Sequence, residues 1–462
     1  MPVVGGIMVP HPPLIIPEVG NGREDVIRAT AEAYKKAAKF VAELAPETIV
    51  IMSPHSVMYG DYLHISPGKA ARGDFGNFGA SEVEISREYD CELSKRLCEL
   101  SIKNGITAGY VGEQDPSLDH GTLVPLYFIM KEYKDFKLVR TGISGMPLDE
   151  QYNFGMLIKQ AAEELGRRVV IVASGDLSHK LKEDGPYGFE PDGVVYDGKI
   201  MDVMKTASFG ELLEFNSIFL NKVGECGHRS FVIMAGALDS FALEAQMLSH
   251  QCETGVGYGI CTFRVTGCDP ERNFLEKFYE KEIREIKERK EREDEFVSLA
   301  RQTVETYISR RQIIATPRDL PEVMYADKAG AFVSLHIKGE LRGCIGTIAP
   351  TMDCVAEEVI HNAISAATRD PRFPEIRRDE LPMLEYSVDV LGDPEVVSSV
   401  EELDVKKYGV IVSKGHRRGI LLPDLEGVET VERQIGIAKQ KAGIPDEDDD
   451  IMIQRFEVIR HY

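Results

Sequence analysis

The chain is poor in the features that would place it in a special class. Its eight cysteines are scattered over 462 residues with no CxxC pair, a usage that speaks for reduced thiols in a cytoplasmic protein. No apolar stretch approaches the roughly 20 residues needed to cross a bilayer, so no membrane role is expected. The first residues, MPVVGGIMVPHPP, lack the basic region and cleavage site of a signal peptide and read as an opening strand. Cations are in short supply too: 54 Lys and Arg stand against 76 Asp and Glu, a net charge of −22. That deficit argues against a general nucleic-acid binder, whose phosphate contacts need clustered Lys and Arg. It leaves room for a local basic pocket. No internal repeat of roughly 20–50 residues is visible. Tryptophan is absent, and nothing follows from that.

What is present belongs to a folded globular protein. Hydrophobic residues make up 43 % and charged residues 28 %, over a length too great for one core and suited to two or three domains. The first part alternates strand and helix signals. PVVGGIMV is a short apolar run closed by prolines, and residues 23–45 carry apolar positions at helical spacing until Pro46 stops them. TIVIMS is a buried strand that ends at Pro54-His55. CELSKRLCELSIKNG is a helix closed by Gly105, DEQYNFGMLIKQAAEELG a helix ending at Gly166, and RRVVIVAS the strand after it. This βαβα rhythm predicts an α/β domain with a mostly buried central sheet over residues 1–268. Residues 269–291 are dense in Glu, Lys and Arg with opposite charges four apart, which predicts a solvated linker helix. A smaller α/β domain is expected over 292–462. There EFVSLARQTVETYI and TMDCVAEEVIHNAISAAT read as helices, and AFVSLHIKGELRGCIGTI as a hairpin turning near Lys338-Gly339. PMLEYSVDVL and GVIVSKGHRRGILLP supply further strands.

Four histidines each sit at the end of an apolar run, next to small or turn-forming residues: His11 in IMVPHPPL, His55 in IVIMSPHS, His120 in LDHGTLVPL and His179 in VVIVASGDLSH. A fifth segment, Gly224-Glu225-Cys226-Gly227-His228, offers a carboxylate and a thiol ahead of another apolar stretch. A buried strand that stops at a histidine delivers an imidazole to the rim of a sheet, where α/β proteins bind ligands. Several such ends converging predict a metal site with acid/base histidines. His11 and His55 are the candidate metal ligands. Imidazole suits Fe, Zn and Cu, and a carboxylate beside two histidines makes a face with open positions that favours iron. Glu225 is the candidate third ligand. Cys226 competes with it and would draw the site toward zinc or a softer metal. His179 suits proton transfer near neutral pH, or is a capping residue held by Ser178 or Asp176. His120, with Asp119 to fix its tautomer, orients a substrate oxygen or dioxygen, or is a loop residue satisfied by backbone. His228 reads as a supporting residue beside the ligands. His64, His250, His336, His361, His416 and His461 lack such context and read as structural or exposed.

VPHPPL, SPHS, LDHGTLVP, SGDLSH and the Glu225 segment, in this order, resemble the class III extradiol dioxygenases of the protocatechuate 4,5-dioxygenase β-subunit type and their relatives of the Memo family. The resemblance covers about residues 1–265. It implies non-haem Fe(II) held by His11, His55 and Glu225, with His179 as the acid/base residue that takes a phenolic proton and His120 near the substrate. It further implies a catechol-like diol and O₂ as substrates and a ring-opened semialdehyde as product. Memo-like members use a cysteine at the place of Cys226, which keeps Zn and Cu as alternatives to iron.

In the second domain, LRGCIGT (Leu341–Thr347) and RDPRFPEI (Arg369–Ile376), with LEYSVDVL and GILLPDL, resemble the AMMECR1 domain over about residues 292–462. Arg342, Gly343, Cys344 and Gly346 predict a compact turn carrying a cation and a thiol. Arg342 would give Cys344 the electropositive setting that a reactive thiol needs; the plainer reading is a small thiol in a packed hairpin. Arg369, Asp370 and Arg372 form an anion pocket or a salt-bridged loop. The fusion resembles a prokaryotic architecture in which both modules accompany a radical-SAM protein, and so implies such a partner. The leading expectation is a non-haem iron oxidoreductase of extradiol-dioxygenase type for a catechol-like or phenolic substrate, its AMMECR1 domain modulating access or binding a partner. The alternative is a Memo-like metal-binding or redox protein without ring cleavage, and a third is zinc-dependent hydrolysis. A homo-oligomer is compatible with each.

Overall fold

The computed structural model describes residues 2–462 except Gln114, Lys338, Asp379, Glu426 and Asp449. It divides into two compact units, Met1–Glu280 and Lys281–Tyr462. Among the described residues, no helix is long and apolar enough to cross a membrane.

The first unit contains β1 (Val3–Val9), β2 (Thr48–Met52), the hairpin β3 (Ala70–Phe75) and β4 (Ala80–Glu88), β5 (Lys137–Thr141), β6 (Val169–Ser174), β7 (Phe241–Gln251) and β8 (Tyr258–Cys268). Six of them form one sheet in the order β5-β2-β6-β1-β8-β7. The first four are mutually parallel, while β8 and β7 add an antiparallel edge. Every residue of β1, β2 and β6 is buried, which is why these strands read as unbroken apolar runs rather than alternating ones. Alternation still sorts them in space. Ile7, Val9, Ile49, Ile51, Val170 and Val172 enter one core, and Met8, Val50, Met52, Ile171 and Ala173 enter the core on the other face.

Helices cover both faces: α1 (Arg28–Leu44), α2 (Cys91–Lys103), α3 (His120–Glu132), α4 (Leu148–Leu165), α5 (Pro191–Thr206) and α6 (His228–Ala237). The helix expected over 23–45 starts as a 3-10 turn at Arg23–Ile27 and becomes α1 only at Arg28. The segment after His120 differs more. His120 does not end a strand; it opens α3, with the Asp119 side chain accepting from Thr122 N. Residues 121–129 are buried on every side, so the helix has no polar face and no legible period.

α4 and α6 meet backbone to backbone. A Cβ on Gly155 would fall 2.0 Å from the Ile233 carbonyl oxygen, and one on Gly236 would fall 1.9 Å from that of Tyr152. Neither obstacle is a side chain that can yield. This contact seats α6, and with it the loop that carries Glu225 and Cys226.

Helix α7 (Phe274–Arg292) is the charged segment. Its Leu275 is buried in the core of the first unit, while Arg289 pairs with Glu385 at 2.5 Å and Lys290 with Glu305 at 3.0 Å. The second unit has α8 (Glu295–Arg310), β9 (Ala331–Ile337), β10 (Glu340–Gly346), α9 (Val355–Thr368), β11 (Leu384–Leu391), β12 (Tyr408–Lys414), β13 (Arg417–Leu421), α10 (Val431–Ala442) and β14 (Met452–His461). Its sheet runs β10-β9-β11-β14-β12-β13, with the short strand Glu395–Val396 also paired to β14. The expected β9–β10 hairpin is present with Gly339 at φ 78°; Lys338 lies outside the described residues.

LRGCIGT is not the compact turn the glycines predict. It runs largely along β10, Cys344 opposite Ser334 and Gly343 opposite Leu335. The glycines serve close packing, since a Cβ on Gly343 would fall 2.4 Å from the Ala366 carbonyl oxygen. Arg342 does not serve Cys344 either, because its guanidinium is spent on Glu380 and the Pro374 carbonyl. The RDPR segment resolves to a salt-bridged loop. Asp370, held well below the usual carboxylate range by Arg372, accepts the Cys344 N–H at 2.8 Å.

Gly236→Ala is expected to lower the melting temperature of the protein, an overpacking cost of about 1–3 kcal/mol. Gly198→Ala, within α5 where a Cβ meets open space, is expected to leave it unchanged or raise it. Thermal unfolding of the two variants side by side checks both.

Candidate metal centre

Because β1, β2 and β6 are parallel neighbours, their carboxyl ends share one edge of the sheet. His11 lies just beyond β1, His55 just beyond β2, and Ser174 closes β6, with Asp176 and His179 following. His11 is 2 % exposed. Its Nδ1 lies 3.0 Å from the Ser174 hydroxyl, and that hydroxyl donates to the Gly121 carbonyl at 2.5 Å. A hydroxyl has one proton to give. His11 Nδ1 therefore donates to it, and Nε2 is left as the acceptor nitrogen. That Nε2 lies 2.9 Å from His55 Nε2 and 3.6 Å from Cys226 Sγ.

The donor atoms of His11, His55 and Cys226 lie within 4.8 Å of one another, the span of neighbouring ligands with bonds of roughly 2.0–2.3 Å around one ion. A close loop crossing brings Cys226 there. A Cβ on Gly175 would fall 2.1 Å from Gly227 Cα, and Gly224 turns the chain at φ 65°. Asp176 joins the two sides of the crossing. Its Oδ1 accepts the His11 N–H at 2.9 Å, its carbonyl accepts Gly227 N–H at 3.0 Å, and its own N–H points at Cys226 Sγ, 3.3 Å away.

Glu225, expected as the third donor, is not part of this group. Its carboxylate is buried and turned to the start of α6, where Oε2 accepts the His228 N–H at 2.6 Å and Oε1 lies 3.9 Å from Arg229. Successive residues in the loop point opposite ways, and Cys226 is the one aimed at the histidines. His228 is fully buried, Nε2 at 3.0 Å from the Leu212 carbonyl and Nδ1 at 3.4 Å from the Tyr196 hydroxyl. It belongs to the packing under α6.

His120 and His179 flank the three donors. The His120 ring centroid lies 4.0 Å from that of His55 and 5.4 Å from that of His11. Asp119, expected to fix its tautomer, is engaged with Ser53 and Thr122 instead. His179 is held by its backbone N–H to Gly224 O at 3.0 Å, and its Nε2 is buried without a hydrogen-bond partner among the described residues. Ser178, expected as its cap, donates to the Val223 carbonyl.

The electrostatics favour unprotonated nitrogens. Burial, reinforced by the neighbouring histidines, holds His11 well below its ordinary value. Partial desolvation shifts His55 the same way, against the pull of Asp119. Burial carries His120 and His179 to about 4. The Cys226 thiol is pushed well up by burial, and Asp176 is raised to about 7 by the same cause. Four neutral imidazoles and a half-buried thiol form a donor set suited to a positive charge. A cation held there by His11, His55 and Cys226 would supply that charge and favour the thiolate over the thiol. The residues fit a metal ion, with a thiolate where the iron-type face has a carboxylate.

Beside His55 and His120 opens a cavity of about 500 Å³, whose walls include Phe78, Asp119 and Arg140, a size typical of small-molecule sites. The β3–β4 hairpin presents Phe78, its ring centroid 5.4 Å from that of His120. Arg140 is buried on β5 and donates to Ser66, the Ser117 carbonyl and Glu113. Sequence reading did not single out Ser174, Arg140 or Phe78. Ser174 alone had a signal, as the residue that ends a buried strand just before Gly-Asp.

The depressed histidines have a stability consequence. An unfolded histidine protonates near 6.5, the folded His120 and His179 only near about 4. As pH falls through that window the unfolded chain binds more protons, so these groups lose stability there; the raised carboxyls of Asp176 and Glu225 act oppositely. In metal-free protein, the loss of melting temperature between about pH 6.5 and 4 is therefore expected to be smaller in His120→Gln than in the wild type.

The model of the family described as the catalytic LigB subunit of aromatic ring-opening dioxygenase matches residues 5–261, and that of AMMECR1 matches residues 297–461. The Clostridium acetobutylicum protein CA_C1420 is 40 % identical over 469 residues, covering 100 % of this chain and 99 % of that one. A Thermotoga maritima protein is 52 % identical over 170 residues, 37 % of this chain and 98 % of its own. Among solved structures, the uncharacterized protein PH0010 of Pyrococcus horikoshii is 32 % identical, covering 36 % of this chain and 88 % of that one at a TM-score of 0.34. With both halves matched in order, the chain belongs to the LigB, class III extradiol dioxygenase-like family, in the Memo-like form fused to an AMMECR1 domain.

Proposed function

We propose that the first unit is a metal-dependent oxidoreductase of extradiol-dioxygenase type, acting on a small catechol-like or phenolic substrate, with His11, His55 and Cys226 holding its ion. The observation that carries this reading is the convergence of two imidazole nitrogens and one thiol beside a cavity of about 500 Å³. Fe(II) is the expected metal, with Zn and Cu as alternatives. The ion, when bound, acidifies a substrate hydroxyl and supplies redox capacity.

The chain's own residues do the remaining work. Ser174 fixes the His11 tautomer. Phe78 offers a ring edge to an aromatic substrate, and Arg140 places a buried cation in the cavity wall. His179, neutral and with a free Nε2, accepts a proton from a substrate hydroxyl. A pKa of about 4 makes it a weak base that returns the proton readily. The AMMECR1 unit is accessory in this reading.

Cys226 in place of a carboxylate favours a second reading, a Memo-like metal-binding or redox protein without ring cleavage, because a thiolate suits zinc or copper better than the iron-type face does. Elemental analysis of protein purified without added metal, followed by anaerobic Fe(II) reconstitution and catechol-dependent O₂ uptake, separates the two. His11→Gln, His55→Gln and Cys226→Ser are expected to lose stoichiometric metal, and Glu225→Gln to keep it. Uptake of O₂ with a ring-opened product supports the dioxygenase reading; bound metal without uptake supports the second. Metal retained in Cys226→Ser but lost in Glu225→Gln would overturn the proposed donor set.

A further inference from the structure

We propose that Asp197 and His250 are positioning residues for His179, a buried carboxylate and its solvent-facing counter-charge that fix the backbone one residue before the proton-transfer histidine. The proposal rests on the role given to His179 above and deepens it. His250 reads from sequence as structural or exposed; the structure gives it a charged partner beneath the segment that carries His179.

The chain leaving β6 is pinned by backbone at most points. Leu177 donates to the Gly257 carbonyl at 2.9 Å, Gly257 to that of Ser178 at 2.8 Å, His179 to that of Gly224 at 3.0 Å and Leu181 to that of Gly255 at 3.0 Å. Ser178 differs. Its N–H goes to a side chain, Oδ1 of Asp197 on α5, at 2.9 Å. Asp197 is only 3 % exposed, and its other oxygen lies 3.1 Å from Nε2 of His250 on β7. The space is shaped to this carboxylate, since a Cβ on Gly257 would fall 2.0 Å from Asp197 Oδ2. The His250 side chain is 32 % exposed, so it exchanges protons with solvent while its partner stays dry.

The pair ties that anchor to pH. A hydrogen bond to a carboxylate is stronger than one to a neutral acceptor, but a buried carboxylate needs a counter-charge. Burial raises Asp197 above the ordinary carboxylate range, and the His250 contact and the Ser178 N–H pull it back. Imidazole is the side chain that changes charge within the physiological range. With His250 protonated the pair is matched, and Ser178 is held by a charge. With His250 neutral, the buried carboxylate loses its cation and draws a proton, and the bond to Ser178 falls to about half its strength. Among the described residues, no other cation contacts Asp197. On α5, Tyr196 turns its hydroxyl toward His228 and Lys199 lies over the Phe215 ring. Cys252 and Glu253 follow β7, and Lys182 donates to the Glu253 carbonyl at 2.8 Å. The placement of His179 therefore follows the charge of a residue outside the donor set, and its proton step weakens on the alkaline side of the His250 titration.

The test follows the ring resonances of His179 in full-length protein carrying isotope-labelled histidine, from about pH 5 to 8, the range over which imidazole changes charge. Loss of signals in His179→Gln and His250→Gln assigns the two rings. The His179 ring is expected to shift with an inflection at the pH where His250 itself titrates. That inflection is expected to vanish in His250→Gln, which keeps a hydrogen-bond donor without the charge, and in Asp197→Asn, which removes the carboxylate and leaves His250 free to titrate. Unfolding curves establish that each variant is folded. A His179 resonance indifferent to the His250 titration overturns the proposal. So does an inflection that persists in folded Asp197→Asn, because it then arises from the His250 charge acting through space. The dioxygenase reading fails separately, by absence of catechol-dependent O₂ uptake, and that outcome leaves the ring measurement intact.

Discussion

Parallel hydrogen bonding between β1, β6 and β2 is the constraint on which the rest depends. Val9 pairs with Ser174, and Met52 with Ala173, so three chain segments far apart in sequence finish at one level. Each then turns out of the sheet carrying a polar group. A shift of register would separate the His11 imidazole from the Ser174 hydroxyl that sets its tautomer, and the lone pair would point elsewhere. The edge of a parallel sheet is the one place where buried backbone stops abruptly and side chains from several strands meet. The donor set is a product of that geometry.

Cys226 reaches the same edge by another route. The α4–α6 contact through Gly155 and Gly236 fixes where α6 begins, and the Gly175–Gly227 crossing fixes how close its leading loop approaches β6. Asp176 ties the pieces together through hydrogen bonds to the His11 N–H and to the loop at Cys226 and Gly227. Gathering four imidazoles, a thiol and a carboxyl into a poorly solvated space disfavours every charged form, as the depressed histidines and the raised thiol record. A cation reverses that balance, since it is stabilised by the lone pairs that burial leaves unprotonated. Among the described residues, no comparable donor group surrounds Cys344 in the second unit. There the thiol sits on a strand beside Ser334, its backbone clamped between Asp370 and Arg372.

The buried strands were legible because full burial on both faces leaves an unbroken apolar run, and a histidine at the end of such a run is placed by chain geometry alone. That covers His11, His55 and His179. The amphipathic helices α1, α2 and α4 were legible for the complementary reason, one wet face each. α3 was not, because a helix buried all round has no period to read, and so His120 was mistaken for a strand end. The LRGCIGT glycines signalled close approach correctly, but a turn and a strand packed against a helix ask for the same residue.

Local pattern by itself determined the α/β class, the two-part organisation and which histidines stand at the sheet's edge, since each of these follows from periodicity and chain reach. It could not choose between Glu225 and Cys226. They are adjacent, both are good donors, and their difference is one of direction. The loop crossing at Gly175 decides that direction, turning the carboxylate to the α6 amides and the sulfur to the imidazoles. The tautomer of His11, the commitment of Asp119 to a helix start and the nearness of Asp176 to Cys226 were likewise settled only in three dimensions, because each depends on contacts between residues that no local spacing connects.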